Sequence, residues 1–286
     1  MMSHLRLDRY ISDSANLISE NINSDSSRLD AELLIAKALG KTRSFLYSYP
    51  EFMLSGKTLD LANHLISLRC DGRPIAYILE KKEFWNFELY VNDSVLIPRP
   101  ETELLIEFLL TLDMPKKIDI ADLGTGSGAI AIALALERKD WNITAVDCSD
   151  SALNVARRNI SKIFGEKKSS IRLMKSNWLS DLKGFLFEVI ISNPPYINIA
   201  DNYLKQGDVS FEPKNALVSS MMGLYDIKSI VEQSRNHLKN NGRLIIEHGF
   251  NQEEAVGKIF SSNNFNQVRC YKDLNGLPRF TTGLRN

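Results

Sequence analysis

The chain has 286 residues, with 35 Lys+Arg against 35 Asp+Glu and a formal net charge of zero. A composition of 44% hydrophobic and 24% charged residues is that of a folded protein, not a disordered one, and the length suits one large domain or two smaller ones. The charge balance argues against a uniformly basic coat for nucleic acid, because phosphate binding draws on excess Lys and Arg. The longest apolar run, Ala129 to Leu136, falls far short of the ~20 residues of a membrane-spanning helix. The first segment lacks the apolar core of a secretory signal, and its Asp8, Asp13, Glu20 and Asp25 argue against an acid-poor transit peptide. Cys70, Cys148 and Cys270, and His4, His64, His237 and His248, are too dispersed for a disulfide framework or a metal site. A reducing cytoplasm, buried thiols and no metal are therefore expected.

In chain order, residues 1–82 read as a helical domain. Ser27 with Asp30 resembles a capping box, Leu29, Leu33, Ala36 and Leu39 follow at helical spacing, and Gly40 is a stop. A second amphipathic pattern runs through Leu61, Leu65 and Leu68 to Asp71-Gly72, with Pro74 beyond. No catalytic constellation is visible here, so the segment reads as a bundle that packs or recognises a partner. Residues 83–98 change character. Phe84, Trp85, Phe87, Leu89, Val91 and Val95 read as short strands with a turn at Asn92-Asp93, a hairpin linker stiffened by Pro98 and Pro100.

From residue 99 to 286 strands and helices alternate. Strands are expected at Ile118–Leu123, Ile143–Val146, Ile171–Met174, Val189–Ser192, Arg243–Glu247, Gln267–Tyr271 and Arg279–Leu284, with Asn275-Gly276 turning between the last two. Helices are expected at Ala129–Glu137, Ser151–Phe164, Ile227–Leu238 and Gln252–Phe260. Repeated βα units imply a doubly wound α/β domain, a mostly parallel sheet with helices on both faces.

The run Asp122-Leu123-Gly124-Thr125-Gly126-Ser127-Gly128 follows the first of these strands and opens a helix. Glycines there let the chain turn sharply and let a ligand approach the main chain. Asp147, at the end of the next strand, is placed to accept hydrogen bonds from ribose hydroxyls. Gly124, Gly126 and Ala129 also satisfy the dinucleotide pattern G-x-G-x-x-G/A, so a nicotinamide enzyme is a rival reading. An acid two positions before G-x-G-x-G instead matches S-adenosylmethionine enzymes; Asp122 there either organises the turn or meets a cationic ligand end. Asn177-Trp178, after the third strand, would border an adenine ring, although a Trp on a core face explains the same residue.

Asn193-Pro194-Pro195-Tyr196 ends the fourth strand. Asn193 precedes proline and is held extended, and the prolines offer carbonyls without competing N–H donors. The Asn193 side-chain oxygen and the Pro194 carbonyl form a rigid pair of acceptors, with Tyr196 as a flat wall. Such a site suits a planar NH₂ whose lone pair is delocalised: two acceptors hold its two N–H bonds and aim the nitrogen at an activated methyl group.

On these residues the chain resembles the protein-(glutamine-N5) methyltransferases that modify peptide chain release factors. The likeness spans most of the sequence: Arg73-Pro74-Ile75-Ala76-Tyr77, Glu83-Phe84-Trp85, Leu96-Ile97-Pro98-Arg99-Pro100-Glu101-Thr102-Glu103, the Asp122–Gly128 turn, Asn193–Tyr196, and Phe211-Glu212-Pro213 with Ala216-Leu217. The resemblance implies a Rossmann-like, seven-stranded S-adenosylmethionine-dependent methyltransferase domain joined by a short β-hairpin to a small helical substrate-recognition domain. It implies methyl transfer to the glutamine of a release factor's Gly-Gly-Gln loop, with S-adenosylhomocysteine as product. Gly124, Thr125, Gly126, Ser127, Gly128, Asp147, Trp178 and Asn193 would contact the cofactor; Asn193, Pro194, Pro195 and Tyr196 would hold the substrate, with Asn193, Pro194 and Tyr196 catalytic. A cytoplasmic monomer with no membrane and no stable nucleic-acid partner is expected. Many relatives have a Gly-Gly-rich stretch where this chain has Val218-Ser219-Ser220-Met221-Met222-Gly223-Leu224, so that loop carries no assigned role.

Other residues stay open. Arg99 and Glu101 read equally as a charged pair gripping a peptide and as an interdomain ion pair. His248 offers itself as a base but reads better as a solvated or structural histidine. Three other functions compete. An adenine- or cytosine-amino methyltransferase shares the Asn-Pro-Pro-Tyr logic, because a flipped base also presents NH₂, but it should carry a basic face. A nicotinamide oxidoreductase leaves Asn193–Tyr196 unexplained. A non-catalytic module is disfavoured by the complete set of site residues. Local charge runs such as Glu166-Lys167-Lys168 predict an uneven surface despite the zero net charge.

Overall fold

The computed structural model describes residues 5–22, 24–165 and 169–286; the Glu166-Lys167-Lys168 run lies outside the described residues. Contacts divide the chain into two compact units. The first is the chain up to Lys81 together with Lys205–Phe211, and the second is Lys82–Leu204 with Glu212–Asn286.

The first unit packs helices α1 (Leu7–Asn21), α2 (Ser27–Leu39), α3 (Arg43–Ser48), α4 (Gly56–Cys70) and α5 (Ile75–Leu79) around Leu7, Ile18, Leu34, Ile35, Leu54 and Ala62. α2 starts where the capping pattern suggested but is not closed by it. Ser27 is already helical and donates back to the Ser24 carbonyl (2.8 Å), and Asp30 faces inward. The inner face is accordingly Asp30, Ala31, Leu34 and Ile35, while Leu29 is 41% exposed. Asp30 is the reason for that rotation: its Oδ2 accepts from Arg69 Nε of α4 at 2.8 Å, both side chains being buried. Arg69 Nη1 also donates to the Arg73 carbonyl (3.0 Å) and to Asp208 (2.9 Å), and Gly72 lies under the Phe211 ring. A buried guanidinium is stable only when its donors are satisfied in this way. α2 ends on Gly40 at φ +62°, the left-handed stop that glycine adopts without strain.

The second unit holds a seven-stranded sheet: β1 (Asp119–Leu123), β2 (Asn142–Asp147), β3 (Ile171–Lys175), β4 (Phe187–Ser192), β5 (Leu238–Glu247), β6 (Phe265–Lys272) and β7 (Pro278–Arg285). Their spatial order is β6-β7-β5-β4-β1-β2-β3, parallel from β5 to β3, with β7 antiparallel to both β5 and β6. The central strands are near-continuous apolar runs, as strands covered on both faces must be. Helices α6 (Glu103–Thr111), α7 (Ala129–Glu137), α8 (Asp150–Phe164), α9 (Tyr225–Ser234) and α10 (Glu253–Ser262) supply the cover. No described helix is long and apolar enough to cross a membrane.

Two expectations need correction. The hairpin pairs Lys82–Phe84 with Phe87–Leu89 and turns at Trp85-Asn86, Trp85 taking φ +55°; Val91 and Val95 are buried without joining a strand. Asn92 makes a separate turn, its carbonyl accepting from the Val95 N–H (3.2 Å). The helix expected to reach Leu238 stops at Ser234, because Leu238 pairs with Phe187 and begins β5.

The sheet positions the chemistry. β1 and β4 are neighbours, Leu123 opposite Ser192, and chain direction through the sheet reverses between them. Ligands in open α/β sheets lie in the crevice at such a switch point, beyond the carboxyl ends of the strands. Gly124 leaves β1 there and Asn193 leaves β4.

Candidate active site

At the end of β1 the chain takes positive φ at Gly124 (+69°), Gly126 (+55°) and Gly128 (+85°). A Cβ on Gly124 would lie 3.2 Å from Cζ3 of Trp178, so glycine lets the indole close over the main chain. Gly124, Thr125, Gly126, Ser127, Asp147 and Trp178 all line one cavity. Gly128 does not line it. A Cβ there would meet Ile132 Cδ1 at 3.2 Å and Ala156 Cβ at 3.4 Å, so this glycine serves the packing of α7 against α8. Asp122 is also off the cavity wall: its Oδ2 accepts from Thr125 Oγ1 at 2.6 Å, the turn-organising role. Burial pushes its carboxyl up to about 7 against the Thr125 hydrogen bond.

Asp147 reaches back across the turn. Its Oδ2 accepts from the Gly126 N–H (2.9 Å) and its Oδ1 from the Ser149 N–H (2.9 Å). Burial raises its pKa, opposed by these backbone donors. A carboxylate has about four lone-pair sites, so both oxygens keep capacity for hydroxyl donors. Trp178, at φ +53°, packs partly on the sheet core and also lines the cavity. Asn177 lines the same cavity.

At the end of β4, Ser192 Oγ donates to the Leu123 carbonyl (2.8 Å) and locks the two strand ends together. Asn193 then borders two cavities. One is the cavity over the glycine turn; the other is lined by Pro194, Tyr196, Arg99, Glu101, Tyr203 and Phe250. Pro195 faces the first cavity, so the tetrapeptide alternates sides.

Three other segments hold this loop. Asn193 Nδ2 donates to Thr102 Oγ1 (3.0 Å), and Thr102 donates to Glu247 Oε2 (2.8 Å). The Tyr196 hydroxyl meets Glu247 Oε1 at 3.4 Å. Gln252 Nε2 donates to the carbonyls of Tyr196 (3.0 Å) and Met222 (3.2 Å), while Gln252 Oε1 accepts from the Gly249 N–H (2.8 Å). Gly223 is pressed against the same loop: a Cβ there would fall 2.0 Å from the Tyr196 carbonyl oxygen. Burial pushes Glu247 up to about 7, against its bond from Thr102, and burial beside Glu247 raises the Tyr196 phenol.

Arg99 and Glu101 do not pair with each other; each meets a partner inside the second unit. Arg99 pairs with Glu212, whose other oxygen accepts from the Ile97 N–H (3.1 Å); Glu101 faces Arg279 at 3.9 Å. All five residues belong to the second unit. Burial opposes the Arg99 charge, but Glu212 raises its pKa above the ordinary value. The Ile97–Thr102 strap and Glu212 are thus interlocked within the second unit. His248 is a structural histidine with no solvent contact: Nδ1 donates to the Gly249 carbonyl (2.9 Å), which can only accept, and Nε2 then accepts from Thr281 (2.9 Å). Burial lowers its pKa.

Sequence reasoning missed Thr102, Glu247, Gln252 and Gly223 as supports of Asn193. Thr102 lies inside the Leu96–Glu103 motif and Glu247 ends an expected strand; their partners are remote in sequence.

Comparison with known proteins points the same way. Residues 100–207 match the family described as methyltransferase small domain, and residues 15–79 match the PrmC N-terminal domain. The chain is 44% identical over 261 residues to a release factor glutamine methyltransferase of Pseudomonas aeruginosa, covering 91% of this chain and 94% of that protein. It is 42% identical over 266 residues to one of Escherichia coli (93% and 95% covered). It is 40% identical over 261 residues to one of Shewanella oneidensis (91% and 90% covered). In fold, the chain is similar to a methyltransferase from Pyrococcus furiosus, with TM-score 0.51, 19% identity, and coverage of 69% of this chain and 88% of that one. It is also similar to a Thermus thermophilus 16S rRNA N2 G1207 methyltransferase, with TM-score 0.53, 14% identity, and coverage of 72% and 50%.

Proposed function

Because the chain belongs to the release factor glutamine methyltransferase family, we propose that it methylates the side-chain amide nitrogen of the glutamine in the Gly-Gly-Gln loop of peptide chain release factors. The observation that carries the reading is the place of Asn193 on the wall shared by two cavities, one over the glycine turn and one lined by Pro194 and Tyr196.

The first cavity fits an adenosine-bearing sulfonium. Gly124–Ser127 line it, the Trp178 ring offers a flat apolar face, and Asp147 keeps acceptor capacity at the end of β2. When bound there, S-adenosylmethionine supplies a methyl group activated by the positive sulfur and departs as S-adenosylhomocysteine.

The chain's own residues do the rest. A carboxamide nitrogen is a poor nucleophile because its lone pair is delocalised into the carbonyl. Asn193 Oδ1 and the Pro194 carbonyl accept its two N–H bonds, which fixes the nitrogen and directs it toward the first cavity. The same two acceptors favour the positive charge that grows on nitrogen as the new N–C bond forms. Loss of one amide proton then restores a neutral amide, and that proton is acidic enough to leave to solvent without a strong base. Tyr196 packs beside the amide, and the Arg99–Glu212 and Glu101–Arg279 wall lines the approach for the flanking peptide.

The test is mass spectrometry of candidate release factors after incubation with the enzyme and S-adenosylmethionine. One added methyl group on the loop glutamine is expected, and it should disappear with Asn193→Ala. Methyl on another residue, or on nucleic acid alone, refutes the reading.

A further inference from the structure

We infer that Thr102 and Glu247 are positioning residues that decide which end of the Asn193 amide faces the substrate. The inference rests on the role of Asn193 proposed above.

An asparagine amide can rotate by half a turn and exchange its acceptor oxygen for its donor nitrogen at little cost in shape, because its terminal torsion is broad and roughly two-fold. For Asn193 the two orientations are opposite in function. With Oδ1 toward the second cavity, an incoming NH₂ finds an acceptor. With Nδ2 there, donor meets donor and the amide is repelled.

The proton inventory of the neighbouring groups removes this ambiguity. Thr102 ends the short turn Pro100–Thr102 and is 4% exposed; Glu247 ends β5, next to β4, and is 2% exposed. The Thr102 hydroxyl has one proton, and above about pH 7, where Glu247 is ionised and only accepts, that proton goes to Glu247 Oε2 at 2.8 Å. What Thr102 then shows to Asn193, at 3.0 Å, is a lone pair. Only the Nδ2 end of the amide can satisfy it. Reversal would set Oδ1 against that lone pair, acceptor against acceptor, and lose the hydrogen bond between the two residues. The chain Glu247 ← Thr102 ← Asn193 therefore reads in one direction and leaves Oδ1 for the substrate. Glu247 is held for this purpose on its other side by the Tyr196 hydroxyl (3.4 Å), and the loop carbonyls are held independently by Gln252. Loop position and amide orientation are thus set by separate groups.

The experiment is a kinetic comparison, at pH 8 where Glu247 is ionised, of Thr102→Val, Thr102→Ser and Glu247→Gln in the full chain, with release factor as substrate and direct titration of S-adenosylmethionine. Thr102→Val keeps the side chain's shape and removes the hydroxyl. It should lower kcat by about tenfold to a hundredfold, with the Kd for S-adenosylmethionine and the Tm near those of the parent. Thr102→Ser restores the hydroxyl and should recover most of that loss. In Glu247→Gln the new amide can donate to Thr102, free its proton for Asn193 Oδ1 and reverse the chain, so kcat should fall while cofactor binding persists. The double variant Thr102→Val/Asn193→Ala should be no slower than Asn193→Ala alone, because the two residues act through one amide. If Thr102→Val melts below the assay temperature, Glu247→Gln carries the same comparison. A Thr102→Val enzyme with parental kcat, or losses that multiply in the double variant, overturns the inference while leaving the role of Asn193 intact. Full turnover by Asn193→Ala sinks both.

Discussion

The glycine turn after β1 and the Asn193 loop after β4 sit at adjacent strand ends, yet they are built on opposite principles. The turn is local. Its shape comes from three positive φ angles and from Asp122–Thr125 and Asp147–Gly126 bonds made beside the ends of neighbouring strands. The Asn193 loop owes its shape to residues from three other segments: Thr102, the Glu247–Gln252 connection, and Gly223. A site for a small, invariant cofactor can be a property of one turn. A site that must aim a weak nucleophile needs triangulation from several elements, and triangulation is where rate is won or lost.

Substitutions separate the two regions. The largest effect belongs to Asn193→Ala, which removes an acceptor made useful only during methyl transfer: kcat should fall by about 10²–10³ or more, with S-adenosylmethionine affinity changed far less, as read by stopped assays and calorimetry. Next is Gly223→Ala. Its Cβ would collide with the Tyr196 carbonyl at a φ of +85°, so a stability loss of about 1–3 kcal/mol in urea unfolding should accompany a lower kcat. Trp178→Ala strikes the turn's side. Cofactor binding should weaken by about tenfold, or about 1.4 kcal/mol, with kcat at saturating cofactor nearly unchanged; a pure kcat loss would reverse the division drawn between the regions.

The smallest effect is on pH dependence. Asp122 and Glu247 each hold a proton more tightly when folded than their ordinary carboxyl values, both at about 7, chiefly through burial. Their contribution to stability is therefore fully present below the unfolded pKa, near pH 4, and is lost as pH rises through about 7. Urea midpoints measured from pH 5 to 8 should fall less steeply in Asp122→Asn and Glu247→Gln than in the parent.

This contrast also explains what the sequence disclosed. Gly124, Gly126 and Asp147 were legible because spacing along one or two strands encodes them, and Asn193–Tyr196 because prolines restrict their own backbone. The strands were legible from continuous apolar runs such as Val189–Ser192. The face of α2 was misjudged because Asp30, a charged residue, turns inward to meet Arg69, and periodicity treats charge as outward. The hairpin turn was misplaced because Trp85, a bulky residue, takes a left-handed φ that turn statistics reserve for glycine and asparagine. Gly128, which the motif reads as a cofactor residue, also makes room for Ile132 and Ala156 by its lack of a side chain. Thr102 and Glu247 were invisible as a pair because 145 positions separate them.

The helical unit borrows Lys205–Phe211 from late in the chain. Arg69 can meet Asp30 as soon as α4 exists, but its bond to Asp208 spans 139 positions. During synthesis the bundle therefore lacks the Asp208 carboxylate beside Arg69 and the Phe211 ring over Gly72 until the first four strands of the sheet have been made. A fragment cut at residue 81 would stay in that unfinished state, and the first domain in sequence closes only after four of the seven strands have been made.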